Sequence, residues 1–186
     1  MHRWFESPPG RYLLAWEQAR IDEAVADMFG YHSLQVGMPL LDGLRANRMP
    51  HRWRALDAWP EPGSDERPAP DLLAHAAALP FPDNSLDLVL LPHALELSQD
   101  PHTALREVAR VLAPRGLLYV SEPVYAGPLN EVIRLFNDEG VVRAAAQAAL
   151  DAALADGSWE AVAERRFEVP VHFADFADFE QRMMRP

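Results

Sequence analysis

Three polar side chains capable of acid–base chemistry follow apolar stretches of the sequence. His93 follows the apolar run Leu86 to Leu91, Glu96 lies three residues later, and Glu122 comes directly after a second run, Leu117 to Ser121. Histidine is the most common general acid or base, so His93 could orient or deprotonate a substrate, and Glu122 could line its pocket. Structural roles stay open: His93 could simply close a strand, and Glu96 could begin a helix, where the dipole favours a carboxylate.

The two apolar runs predict neighbouring strands of one parallel sheet. Each has the length and the Val and Leu content of a strand that is buried on both faces. Between them, Pro101 to Leu112 has helical spacing, and Pro114-Arg115-Gly116 is expected to end that helix. A strand, a helix and a second strand form a βαβ unit, whose strands are parallel. We therefore expect His93 and Glu122 to meet at the carboxyl edge of the sheet, where ligands bind in open α/β folds.

The rest of the chain alternates helical and strand-like patterns. Four prolines with Gly63 and Ser64 indicate a loop from Trp59 to Pro70. The patterns predict helices at Tyr12–Phe29, Asn130–Asp138, Val141–Ala155 and Asp175–Met184, strands at Ser33–Val36, His51–Ala58, Asp71–His75 and an edge strand at Arg166–Phe173, and a helix or turn at Leu40–Asn47.

Size and composition narrow the class of protein. The 186 residues fit one domain, and 28 acidic against 17 basic side chains give a net charge of −11, which disfavours nucleic acid as a partner. Cysteine is absent, which excludes disulfides and thiolate chemistry and suits the reducing cytoplasm. The longest apolar stretch, Leu86 to Leu97, contains charged residues and is too short for a membrane span.

Several common kinds of site have no motif here. No two of the seven histidines have the spacing of a His-Glu-x-x-His metal motif, so we expect no metal site. Neither a Gly-x-Ser-x-Gly elbow nor a phosphate-binding Gly-x-x-x-x-Gly-Lys loop occurs, which argues against those hydrolases and nucleotidases.

The segment Leu79 to Glu122 resembles the class I S-adenosylmethionine-dependent methyltransferases. Leu79 to Val89 is similar to the family signature LPF-x-D-x-S-F-D-x-V, and Leu95-Glu96, Asp100-Pro101 and Leu105 to Gly116 continue the family pattern in order. A weaker similarity to a bacterial methyltransferase-like subgroup begins at Trp4-Phe5-Glu6. In this pattern we expect Asp87 to be held by backbone amides and so to shape a loop.

The resemblance implies a doubly wound, mostly parallel Rossmann-like sheet. Members of the family usually finish this sheet with an antiparallel hairpin, but after Arg166–Phe173 the sequence leaves room for a helix and not for another full strand. The resemblance also implies S-adenosylmethionine as the cofactor and methyl transfer to a small-molecule acceptor. The single domain would consist of an N-terminal helical cap (1–30), a cofactor-binding core (31–122) and a region with helices and an edge strand (123–186). Residues expected near the cofactor lie at the strand ends: Gly37, Asp57, His75, Ala76 and His93. His93 and Glu122 would face the acceptor.

Two departures from the family pattern keep an alternative function open. Met38 and Pro39 follow Gly37 where the family usually has more glycines, and they are expected to narrow the space for the cofactor. His75 stands where the family often has an acidic residue. The alternative is a non-catalytic partner subunit with the methyltransferase fold that has lost cofactor affinity. The missing strand also suggests a homodimer formed through an exposed sheet edge or a helical segment.

Overall fold

The structure is a computed structural model that describes residue 5 and residues 7–60, 69–168 and 170–184. Most of the predicted loop at Trp59–Pro70, and Trp4 and Glu6, lie outside these residues. The helices are α1 (Pro8–Val25), α2 (Pro101–Val111), α3 (Pro128–Ile133), α4 (Gly140–Ala155) and α5 (Phe176–Phe179), which continues into a π-helical turn (Glu180–Met184). The strands are β1 (His32–Val36), β2 (His51–Leu56), β3 (Leu72–Leu73), β4 (Leu86–Pro92) and β5 (Leu112–Ser121).

The five strands form one sheet in the order β3-β2-β1-β4-β5, and all neighbouring strands are parallel. This confirms the predicted doubly wound parallel sheet and the βαβ unit of β4, α2 and β5. The chain moves outward in one direction from β1 to β3 and in the other direction from β4 to β5. The order therefore reverses between β1 and β4, and a crevice for ligands is expected outside their carboxyl ends.

A core lies on each face of the sheet. On one face α1 packs against Leu88 and Leu90 of β4, and on the other face α2 and α4 pack near Val89 and Leu91. These four side chains are completely buried, as the sequence of β4 predicts for a central parallel strand. Asp100 caps α2 by accepting a hydrogen bond from the amide of Thr103 at 3.0 Å, and Pro101 occupies the first turn, where its missing N–H costs nothing.

Leu40–Asn47 forms turns, the second of its two predicted alternatives, but other predicted elements differ in the structure. The predicted stop at Pro114-Arg115-Gly116 is a bulge inside β5, since the register jumps from Leu86↔Leu112 to Leu88↔Leu117. The strand predicted at Arg166–Phe173 was wrong, because the described residues of this segment are irregular. Alternating side chains make a strand only beside a partner strand, and in the described structure the sheet ends at β5.

The region after β5 is much more exposed than the sheet. Among its described residues only Ala146 and Ala149 of α4 are buried apolar residues. The aromatic side chains of this region pack mainly against one another, as do Phe173 and Phe179, whose ring centroids are 5.1 Å apart. Among the described residues, no helix is long and apolar enough to cross a membrane.

Candidate functional site

The loop after β1 begins with two left-handed residues. Gly37 has φ of +79° and Met38 has φ of +45°. The amide of Gly37 donates to the carbonyl of Ala55 in β2 at 2.9 Å, so the loop starts with its backbone tied to the neighbouring strand. A Cβ atom on Gly37 would lie 3.6 Å from the Cβ of Ala94, which follows β4. Gly37 therefore lies in the predicted crevice between β1 and β4, in a conformation that suits glycine.

The buried side chain of Gln35 fixes this loop from below. Its amide nitrogen donates to the carbonyls of Gly37 at 3.2 Å, Met38 at 3.3 Å and Leu41 at 2.8 Å. Its amide oxygen accepts from the backbone N–H of Gly43 at 2.7 Å. One side chain thus meets the hydrogen-bonding needs of several backbone groups that no helix satisfies.

Met38 was expected to narrow the space for the cofactor, but its side chain is buried in the hydrophobic core. Its side chain is 6% exposed and belongs to the core under α1, together with Ile21 and Leu41. The carbonyl of Pro39 accepts from the guanidinium of Arg54 at 2.9 Å. The thioether is therefore part of the core.

Beside this loop, at the end of β4, His93 lies between two carboxylates. Its Nε2 is 2.9 Å from Oε1 of Glu17 in α1, and its Nδ1 is 3.0 Å from Oε1 of Glu96. Burial alone would lower the pKa of His93, but the hydrogen bonds to Glu17 and Glu96 outweigh it and raise the pKa from 6.5 to about 10. At neutral pH His93 is therefore an imidazolium that donates from both nitrogens, and no lone pair is free to act as a base.

The ion pairs continue from β4 to α4. Glu96 is 8% exposed, and its second oxygen accepts from Nε of Arg143 at 3.2 Å. Arg143 also pairs with Glu139 in the same helix. The chain Glu17–His93–Glu96–Arg143–Glu139 alternates in charge and connects α1 to α4 across the carboxyl edge of the sheet.

Glu122, which directly follows β5, binds the backbone of the segment that contains Glu96. Its two carboxylate oxygens accept from the amides of Leu95 at 2.8 Å and Glu96 at 3.2 Å. Burial raises the pKa of Glu122 from 4.5 to about 7, and the nearby charge of Glu96 adds to the rise, while the amides and His93 oppose it. Tyr119, which lies in β5 three residues before Glu122, also has a raised pKa because of burial and the charge of Glu17.

Helix α1 is fastened to the loop after β1 as well as to His93. The side-chain amide of Gln18 donates to the carbonyl of Asp42 and accepts from its N–H, both at 2.9 Å. One turn later, Asp22 forms a two-pronged ion pair with Arg45. The N-terminal helix therefore covers the crevice with its polar face directed at both strand ends.

The predicted cofactor residues are distributed along the carboxyl edge. Asp57 is exposed directly after β2, and exposed His75 and half-buried Ala76 follow β3. His75 and Ala78 form an isolated antiparallel bridge. The strand order places Asp57 and His75 on one side of Gly37, and places His93 with Glu122 on the other.

Asp87 is held by backbone amides as predicted, but these amides are not its neighbours in the sequence. Its carboxylate accepts from the amides of Tyr31 at 2.8 Å and His32 at 3.0 Å, where the chain enters β1. Gly30 is required beside it, because a Cβ atom there would lie 2.4 Å from the Cβ of Asp87. The contact joins the amino ends of β1 and β4, so Asp87 supports the sheet at the edge opposite the crevice and does not shape its own loop.

Sequence reasoning missed the residues that hold the site together: Glu17, Gln18, Gln35, Arg54 and Arg143. For Gln35 a signal existed, because a glutamine inside the short apolar strand Ser33–Val36 is buried and needs partners. The contacts of Glu17 and Arg143 join segments 76 and 47 residues apart, and local spacing carries no trace of them.

Comparisons with known proteins agree with this fold. Residues 45–120 match the sequence profile of a family described as "Methyltransferase domain". A SAM-dependent methyltransferase from Thermotoga maritima superimposes with a TM-score of 0.54 and 18% identity, covering 86% of this chain and 76% of that one. The YcgJ protein of a Bacillus species superimposes with a TM-score of 0.50 and 18% identity, over 74% of this chain and 67% of that one.

Two curated relatives share the central segment. The ubiquinone/menaquinone biosynthesis C-methyltransferase of Hahella chejuensis is 47% identical over 60 residues, which are 32% of this chain and 23% of the relative. The protein of the same name from Cronobacter sakazakii is 38% identical over 94 residues, which are 49% of this chain and 36% of the relative. The chain thus matches roughly a quarter to a third of their length.

The parallel sheet with its reversal at β1 and β4 defines a methyltransferase-type α/β fold. Residues 45–120, less than half of the chain, are similar to the methyltransferase-domain family and to these C-methyltransferases.

Proposed function

We propose that this protein binds S-adenosylmethionine at the carboxyl ends of β1 to β3 and transfers its methyl group to a small molecule held near β4 and β5. The observation that carries the proposal is Gly37. It is left-handed at the tip of the central strand, with Asp57 at the end of β2 on one side and His93 at the end of β4 on the other. The similarity of residues 45–120 to the methyltransferase-domain family supports the same reaction.

The residues present fit this cofactor. The lack of a side chain at the left-handed Gly37 would allow the amino-acid portion to approach the backbone, and the exposed carboxylate of Asp57 can accept from both ribose hydroxyls. His75 and Ala76, at the end of β3, would border the adenine. The cofactor supplies a methyl group already activated on a sulfonium, so the protein has mainly to orient the acceptor and exclude water.

His93 and Glu122 would form the acceptor side of the site. Since His93 is a buried imidazolium, its role is to donate a hydrogen bond and to orient the acceptor. Glu122 has a pKa near neutrality, which suits a group that can accept a proton at the operating pH. The absence of cysteine suits the cytoplasm, where we place this protein.

Titration calorimetry and thermal unfolding with S-adenosylmethionine test the cofactor site. Ligand at 100 times its dissociation constant should stabilise the protein by about 2.7 kcal/mol. Gly37→Val should abolish the shift, and Asp57→Asn should weaken binding by about tenfold through loss of a charged acceptor. The control Asp27→Asn alters an exposed aspartate after α1 and should leave affinity unchanged. A folded protein that gives no shift at millimolar ligand would favour the non-catalytic partner subunit.

For the partner, we propose a homodimer formed by the β5 edges of two copies. Leu117 and Tyr119 on one face, and Leu118 and Val120 on the other, are only partly buried, whereas the matching residues of β4 are fully buried. Two β5 strands pairing antiparallel would cover both faces at once and extend the sheet across a twofold axis.

Light scattering over a range of concentrations tests the dimer. The carbonyl of Ser121 faces β4, where it accepts from His93, so the N–H of the preceding Val120 points outward. Val120→Pro should therefore produce monomers without removing a bond to β4, and Val120→Thr, which keeps the N–H, should remain dimeric. A wild-type protein of monomeric mass at all concentrations contradicts the dimer.

A further inference from the structure

We infer that His93 is an oxyanion-binding residue of the acceptor site, and that Glu17 occupies in the free protein the position of a carboxylate or phenolate oxygen of the acceptor. The inference rests on the proposed function and deepens it, since it names the chemical class of the acceptor. Binding such an acceptor would displace the Glu17 side chain from His93.

The two sides of the His93 ring are held differently. Its Nδ1 bonds to Glu96, which belongs to the same strand end and is itself held by Arg143 at 3.2 Å. Its Nε2 bonds to Glu17, which comes from a separate helix. Glu96 and Arg143 therefore fix the Nδ1 side of the ring. The N–H of Nε2 is directed at the carboxylate of Glu17, which is on a long, flexible side chain.

Glu17 is the less satisfied of the two carboxylates. Both oxygens of Glu96 have partners, in His93 and Arg143. Among the residues that the structure describes, Oε1 of Glu17 is bonded to His93, whereas its Oε2 is buried and has no hydrogen-bond partner. A buried, unsatisfied carboxylate oxygen is unfavourable, and rotation of Glu17 into water would relieve it. Exchanging Glu17 for a ligand is thus easier than exchanging Glu96.

The charges around the ring select the ligand. His93 faces Glu17, Glu96 and Glu122, Arg143 lies behind Glu96, and Tyr119 lies near Glu17. An anionic ligand that replaces Glu17 leaves the charge of this cluster unchanged, even in a protein with a net charge of −11. A neutral or cationic ligand in that place would leave the imidazolium with one carboxylate fewer. The position therefore fits a singly charged oxygen acid.

Titration calorimetry of the full chain with benzoate, without cofactor, tests the inference. Glu17→Ala should bind benzoate about 10-fold to 100-fold more tightly than wild type, because the ligand no longer competes with an internal charge-assisted bond. Glu17→Gln, which keeps the shape of the side chain, should be intermediate. The gain should vanish in the double variant Glu17→Ala with His93→Gln. Glu23→Ala, an exposed glutamate on the same helix, should behave as wild type.

Two neutral or cationic analogues complete the test. Benzamide and benzylamine should show no gain in Glu17→Ala. Equal benzoate affinity in wild type and Glu17→Ala, or a gain that persists without His93, would overturn the inference. Tight benzylamine binding that requires Glu17 would overturn it too, since Glu17 would then be a cation site. Cofactor binding is measured separately, so its loss with an intact benzoate response would reject only the proposed methyl transfer.

Discussion

The loop after β1 and the ends of β4 and β5 lie side by side at the same edge of the sheet, yet different forces hold them. The loop is fixed by neutral hydrogen bonds from Gln35 and by the amide pair of Gln18 with Asp42. The neighbouring strand ends are fixed by the alternating charges of Glu17, His93 and Glu96. The stability that the loop after β1 contributes, the neutral half of the site, should therefore not depend on pH. The stability that the ends of β4 and β5 contribute, the charged half, should depend on pH.

The largest expected effect tests the neutral half. Gln35→Leu leaves the buried N–H of Gly43 without its acceptor and removes one hydrogen bond each from the carbonyls of Met38 and Leu41. We expect it to lower the free energy of unfolding by about 3 to 5 kcal/mol, equally at pH 6 and pH 9. Urea denaturation measures this loss. The matched control Gln147→Leu, on the exposed face of α4, should change stability by less than about 0.5 kcal/mol.

An effect of at most similar size, which depends on pH, tests the charged half. The pKa of His93 is raised in the folded state, so its contribution is complete below pH 6.5 and is lost as the pH rises through about 10. The full shift corresponds to a loss of at most about 5 kcal/mol of stability across this window. His93→Gln should remove most of that slope. The contribution of Glu122 to the stability of the protein also falls as the pH rises from 4.5 to about 7. Wild type and His93→Gln are therefore best compared above pH 7. Parallel profiles would contradict the charged cluster.

The smallest effect separates burial from charge. Arg45 forms a two-pronged ion pair with Asp22 beside the neutral loop, but its side chain is 54% exposed. Arg45→Ala should therefore cost less than about 1 kcal/mol, and less still in 0.5 M salt, about the level of exposed pairs. Urea denaturation at two salt concentrations measures it. A loss of stability as large as that of Gln35→Leu would contradict the claim that buried hydrogen bonds, and not exposed ion pairs, hold the loop after β1.

Much of the fold could be predicted because its signals are local. The apolar run of β4 and the helical spacing of α2 each identify their element without knowledge of the rest of the chain. The same holds for the capping residue Asp100. The segment Arg166–Phe173 carried an equally clear alternation, but alternation states only that two faces differ. Whether a strand forms depends on an available partner edge, which is a property of the whole sheet.

For the candidate site, the sequence placed His93 and Glu122 at one edge of the sheet. In the structure Glu96 lies between them, bonded to His93 through its side chain and to Glu122 through its N–H. The sequence gave no indication that His93 would be charged. That depends on Glu17, which approaches from α1 only because α1 packs on the sheet next to β4.

By itself, the order of residues determined the βαβ unit of β4, α2 and β5, and with it the edge of the parallel sheet at which a ligand would bind. Periodicity and turn residues act over a few positions, so these patterns can be recognised without knowledge of the tertiary structure. Only the tertiary structure decided the electrostatic character of the site. A charge is set by the groups within a few ångströms of it in space, and for His93 one of those groups lies 76 residues away along the chain.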